Sequence, residues 1–137
     1  MNTGKILVMD DEEQIRIIFR KTLTRMNYEV EVAVDGNEMI ELYKRAKERQ
    51  KPFNAVIMDL TVAGGMGGEE AINRLLEIDP EIRAIVSSSN IDDPIMDNFK
   101  KYGFRAALPK PFEIDELSKT LQRVIMVNGN TGAGSGQ

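Results

Sequence analysis

The chain has 137 residues, 42% of them hydrophobic and 29% charged, the makeup of one ordinary globular domain and not of a disordered segment. Its 22 acidic and 18 basic side chains leave a net charge of −4, so nucleic-acid binding through phosphate neutralisation is not expected. Cysteine and histidine are absent, which excludes disulfides, thiol nucleophiles, cysteine zinc sites, Ser-His-Asp triads, HExxH centres and a phosphohistidine on this chain.

Ile6-Leu7-Val8-Met9 is a continuous apolar run suited to a parallel strand covered on both faces, and Ile15, Ile18, Phe19, Leu23 and Met26 follow at helical spacing. Val30, Val32 and Val34 alternate with Glu29, Glu31 and Ala33, which predicts a strand shielded less evenly, near a sheet edge. Asp35 with Glu38 makes a capping-box pattern before Met39, Ile40, Tyr43 and Ala46, and Pro52 is expected to break that helix. Ala55-Val56-Ile57-Met58 predicts a third buried strand ending at Asp59. Ala71, Ile72, Leu75 and Leu76 form the stripe of a helix that stops at Asp79-Pro80. A fourth strand, Ala84-Ile85-Val86, runs into Ser87-Ser88-Ser89. A helix is expected from Pro94 to Tyr102, with proline in its first turn and Gly103 past its end. Ala106-Ala107-Leu108 is a short fifth strand, and Ile114, Leu117, Leu121, Val124 and Ile125 make a last amphipathic helix. Met9, Met26, Met39, Met58 and Met96 fall on these core stripes and read as space fillers.

Strict alternation of strand and helix predicts an α/β, flavodoxin-like doubly wound (βα)5 fold with a five-stranded parallel sheet over residues 1–127. Ligands in such folds bind beyond the carboxyl ends of the strands. Residues 128–137, with glycine at 129, 132, 134 and 136, read as a flexible Gly-rich tail. No apolar run reaches the roughly 18 residues that span a bilayer. The start is too short in apolar residues for a signal peptide, so a cytoplasmic protein without membrane insertion is expected.

At or just past the strand ends stand Asp10 and Asp11, Asp59, Ser87 and Lys110, and this topology turns all of them toward one crevice. Two like charges 4 Å apart cost about 4 kcal/mol at an effective dielectric of 20, so gathered carboxylates need a counter-charge. A hard divalent cation with oxygen ligands provides it, and Mg²⁺ in particular is held by one or two carboxylates plus waters and phosphate oxygens. Lys110 adds a point charge, and the Ser87 hydroxyl can donate to a phosphoryl oxygen. An aspartate can itself be the nucleophile that forms an acyl phosphate, with cation and lysine stabilising the transferred group. Each residue also has a purely structural reading: Asp10-Asp11 as a helix cap, Asp59 as a turn starter, Lys110 as a solvated surface lysine. Their joint placement on successive strand ends weighs against all three.

Val8-Met9-Asp10-Asp11, Val56-Ile57-Met58-Asp59-Leu60, Ile85-Val86-Ser87-Ser88 and Lys110-Pro111-Phe112 resemble, in order and placement, the CheY-like receiver domains of two-component response regulators. The resemblance implies that Asp59 accepts a phosphoryl group from a histidine kinase or histidine phosphotransfer protein. It implies Mg²⁺ bound by Asp11, by Asp59, by the Thr61 carbonyl and, through water, by Asp10. Ser87 becomes the switch hydroxyl and Lys110 the phosphate-contacting lysine, with a cis Lys110-Pro111 bond; the output partner is not named by it. A phosphoacceptor and switch without substrate turnover is thus expected. The sequence departs from the family's usual pattern at Ala63-Gly64-Gly65-Met66-Gly67-Gly68, where a more mobile loop is expected, and at Ala107, which replaces an aromatic switch residue. The segments from Ser89 to Met96 and Lys101 to Phe104 resemble receivers of hybrid sensor histidine kinases more than stand-alone chemotaxis regulators. Two rivals remain: a phosphorylation-independent pseudo-receiver, favoured by Ala107, and a haloacid-dehalogenase-type phosphatase, disfavoured because Thr61 stands where that family has a second Asp.

Overall fold

Alternation within the strands decides the layering of the molecule. In the computed structural model, which describes residues 4–129, five strands form one sheet: β1 (Gly4–Met9), β2 (Tyr28–Ala33), β3 (Ala55–Asp59), β4 (Ala84–Ser88) and β5 (Ala106–Pro109). All pairings are parallel and the order is β2-β1-β3-β4-β5, the doubly wound arrangement expected. Helices α1 (Glu13–Arg25), α2 (Gly36–Glu48), α3 (Gly68–Ile78), α4 (Pro94–Asp97) and α5 (Ile114–Gly129) connect or follow the strands. Leu7, Met9, Val56, Met58 and Val86 bury against Met39, Tyr43, Ile72 and Leu75 on one face. Ile6, Val8, Ile57 and Ile85 bury against Phe19, Leu23, Leu117 and Leu121 on the other. Both faces are covered, as an all-parallel sheet requires.

The capping box of α2 forms: the Glu38 N–H donates to Asp35 Oδ1 at 3.0 Å and the Val34 N–H to Glu38 Oε1 at 2.7 Å. Asp79 is extended before Pro80 and ends α3 where expected. Four details differ from the sequence reading. β2 is an edge strand but stops at Ala33, leaving Val34 45% exposed. Ile18 is 51% exposed, because the buried stripe of α1 narrows to Phe19 and Leu23. Helix α2 ends four residues before Pro52, at Glu48: Gln50 turns to φ 60°, and the Lys51 and Gln50 N–H groups donate back to the Ala46 and Lys47 carbonyls in a Schellman closure. The helix expected over Pro94–Tyr102 breaks at Asn98 into α4 and a 3-10 turn at Phe99–Tyr102. Asn98 leaves helical geometry while its side-chain amide donates to the Pro94 carbonyl, a local bond that competes with the helix. Of the tail expected from Asn128, all but the first two residues lie outside the described residues.

Candidate functional site

Strand register assembles the site. Met9 lies opposite Met58, Asp59 opposite Ser87, and Ser88 opposite Pro109, so β1, β3, β4 and β5 end abreast and deliver Asp10, Asp59, Ser87 and Lys110 to one rim. The chain reverses its winding between β1 and β3, the switch point where such sheets leave a crevice.

Asp10 is 1% exposed and every polar atom it carries has a partner. Its N–H donates to the Ala33 carbonyl at 3.1 Å, its own carbonyl accepts from Arg16 Nη1 at 2.8 Å, and Oδ1 accepts the Glu12 N–H at 2.9 Å. Oδ2 accepts from Lys110 Nζ at 2.6 Å, and the same ammonium lies 3.5 Å from Asp59 Oδ1. The helix-cap reading of the Asp pair does not hold, since the N-cap of α1 is Glu12, without a side-chain cap bond. Asp11 is exposed and its Oδ2 accepts the Ala63 N–H at 3.3 Å.

Asp59 is nearly buried, and burial is the main reason its pKa is pushed up to about 6. Lys110 opposes the rise, Asp10 adds to it, the Thr61 backbone N–H opposes it, and Asp11 adds to it. Burial alone would lower the pKa of Lys110; the Asp10 hydrogen bond and the charges of Asp59 and Asp10 hold it above the ordinary lysine value. One ammonium thus serves two inward carboxylates, with Asp11 beside them. This excess of hard oxygen donors fits a divalent cation such as Mg²⁺. Carboxylate oxygens of Asp10, Asp11 and Glu12 come within 4.8 Å of one another, whereas Asp59 joins the group through Lys110.

Ser87 is buried and its hydroxyl donates to the Leu108 carbonyl at 2.9 Å; Ser88 Oγ accepts the Asn90 N–H at 3.0 Å. Lys110-Pro111 is cis, as the resemblance implied. Sequence reasoning missed Glu12 and Arg16. A third consecutive acid was a visible signal for Glu12, whereas only tertiary geometry brings the Arg16 guanidinium to a carbonyl six residues back. In the glycine-rich loop after β3, a Cβ on Gly67 would stand 2.4 Å from the Leu60 carbonyl oxygen, and the Gly68 N–H donates to that oxygen at 3.1 Å. Glycine here serves close approach of two backbone segments.

The response regulator receiver domain family matches residues 6–122. Sporulation initiation phosphotransferase F of Bacillus subtilis is 28% identical over 95% of this chain and 100% of its own. Chemotaxis protein CheY of Thermotoga maritima is 30% identical over 88% of this chain and 96% of its own. Among solved structures, a response regulator receiver domain protein from Clostridium thermocellum superposes with a TM-score of 0.82 at 23% identity, covering 93% of this chain and 98% of that one. A chain of the CheX-CheY-BeF3-Mg²⁺ complex from Borrelia burgdorferi superposes with a TM-score of 0.79 at 20% identity, covering 88% and 87%.

Proposed function

Because the chain belongs to the response regulator receiver domain family, we propose that Asp59 accepts a phosphoryl group from the phosphohistidine of a histidine kinase or phosphotransfer protein, in a Mg²⁺-dependent reaction. The observation that carries this reading is the nearly buried Asp59 carboxylate beside Lys110 and the Asp10-Asp11 pair at the rim. An Asp59 carboxylate oxygen attacks phosphorus, the phosphorus–nitrogen bond to the donor histidine breaks, and its electron pair stays on the imidazole, which takes a proton from solvent. Lys110, 3.5 Å from Asp59 Oδ1, neutralises charge on the phosphoryl oxygens. Asp11, Asp59, the Thr61 carbonyl and, through water, Asp10 would hold the Mg²⁺, which when bound supplies charge neutralisation for phosphoryl transfer.

The chain is read as an acceptor and switch, not a turnover enzyme. Phosphorylation adds roughly −1.5 to −2 charge at neutral pH on side-chain sites. Ser87 then exchanges the Leu108 carbonyl for a phosphoryl oxygen, which shifts the populations of the face built by α4, β5 and α5 and so its output partners. A groove of about 340 Å³ lined by Ile15, Ile18 and Phe112 runs to Lys110 and Ser89, offering the donor an apolar seat beside Asp59.

Incubation with acetyl phosphate and Mg²⁺ should add one phosphoryl group by mass spectrometry, absent in Asp59→Asn. No uptake by the native chain would remove the reading. Ala107 favours a second one, a phosphorylation-independent interaction module, and amide spectra unmoved by beryllofluoride with Mg²⁺ would select it.

A further inference from the structure

We propose that Met66 is a positioning residue, a peg that seats the β3–α3 loop on the N-terminus of α2 and thereby presents Thr61 and Ala63 to the acidic rim. The loop carries glycine at 64, 65 and 67, residues that lose the most conformational freedom on ordering, so a specific anchor must hold it. Met66 is that anchor by geometry. It is buried at 8% exposure among the residues of the α2–α3 face, although it sits in a connecting loop.

Its seat is Gly36, the first residue of α2: a Cβ there would lie 2.6 Å from Met66 Sδ and 3.0 Å from Met66 Cβ. The side chain therefore lies flat on a helix start that has room for nothing beyond hydrogen. The backbone repeats the link, since the Gly36 N–H donates to the Met66 carbonyl at 2.8 Å. Side chain and main chain together pin two segments that are far apart in sequence.

Between this anchor and the end of β3 only a short span remains, and its free groups reach the site. The Ala63 N–H reaches Asp11 Oδ2 at 3.3 Å. Asp11, one of the carboxylates proposed to hold the cation, thus takes a hydrogen bond from the strap that Met66 fastens. A methionine that merely filled space would contribute stability and leave the carboxylates' cation affinity alone; a peg contributes both.

The proposal rests on the Mg²⁺ reading above, so its experiment has one readout that needs no metal. In the metal-free protein at a temperature well below unfolding, hydrogen exchange is measured at the Ala63 and Gly68 amides for the native chain, Met66→Ala, Met66→Leu and Gly36→Ala. Mg²⁺ affinity is then read from amide shifts on titration with the chloride salt. Met66→Ala should speed Ala63 exchange and weaken Mg²⁺ binding about 10-fold, the lower end of what losing an outer support of a metal ligand costs. Met66→Leu, conserving volume, should restore affinity to within about twofold. Gly36→Ala, which leaves Met66 intact but fills its seat, should reproduce Met66→Ala. Native Ala63 exchange and native Mg²⁺ affinity in folded Met66→Ala would overturn the peg. Absence of Mg²⁺ binding by the native chain would instead overturn the proposed function, and the exchange rates would still decide whether Met66 anchors the loop.

Discussion

In the proposed reaction Asp59 meets two opposed demands: it must be shielded enough to form a stable acyl phosphate site, yet ionised enough to attack. Its pKa, pushed up to about 6 chiefly by burial against an ordinary 3.8, fixes the sign of a stability effect. Between those values the folded protein holds a proton that the unfolded chain releases, so stability from this group falls as pH rises from 3.8 through about 6. Above that the penalty of an ionised, crowded carboxylate is fully present. Asp59→Asn should therefore raise the thermal midpoint of the metal-free protein at pH 7.5, with the gain shrinking toward pH 4. Denaturation followed by circular dichroism at the two pH values checks this, and an equal gain at both would contradict the assignment. Legibility at this scale was uneven. Asp10, Asp11, Asp59, Ser87 and Lys110 could be named from strand ends, while Lys110 bridging Asp10 and Asp59 depends on distances no linear pattern encodes.

Elements place these residues and also offer surfaces. Apolar patterning located the five strands and helices α1, α2, α3 and α5 among the described residues, but it marks a stripe without marking the stripe's edge. Ile18 follows the pattern of α1 and is nevertheless 51% exposed, whereas Phe19 beside it is buried with its ring 5.1 Å from that of Phe112. That exposure is useful to the proposed reaction, since Ile18 lines the groove leading to Lys110. Ile18→Glu should slow phosphoryl transfer from a phosphohistidine donor by about tenfold, the loss of roughly 1.4 kcal/mol of contact, while the rate with acetyl phosphate stays unchanged. Equal slowing of both reactions would place the defect in the site and not in docking. The turn between β3 and α3 makes a separate prediction. A methyl on Gly67 collides with the Leu60 carbonyl oxygen at 2.4 Å, and overpacking of this kind costs about 1 to 3 kcal/mol. Gly67→Ala should lower the urea midpoint without altering the slope of the transition.

At the scale of the molecule, a parallel sheet covered on both faces holds a rim where carboxylates outnumber cations, and ligand binding feeds back on folding. A cation that binds only the folded state at ten times its dissociation constant stabilises by about 1.4 kcal/mol. Adding Mg²⁺ should therefore raise the thermal midpoint by a few degrees, and chelation should reverse it; in Asp11→Asn the shift should be reduced. Calorimetry with and without Mg²⁺ reads this directly, and a midpoint indifferent to Mg²⁺ in the native chain would count against the cation site. Among the described residues no helix is long and apolar enough to cross a membrane, which agrees with the apolar run lengths. What the residue order determined alone is the α/β alternation, and with it the parallel doubly wound sheet and the identities of the residues at the strand ends. These follow from side-chain period and from the handedness of crossovers, both local rules. The tertiary structure alone decided that Met66 seats on Gly36, that Ser87 turns to Leu108 and that one lysine serves two carboxylates. Each depends on which atoms from distant segments reach contact distance, and short-range periodicity carries no information about that.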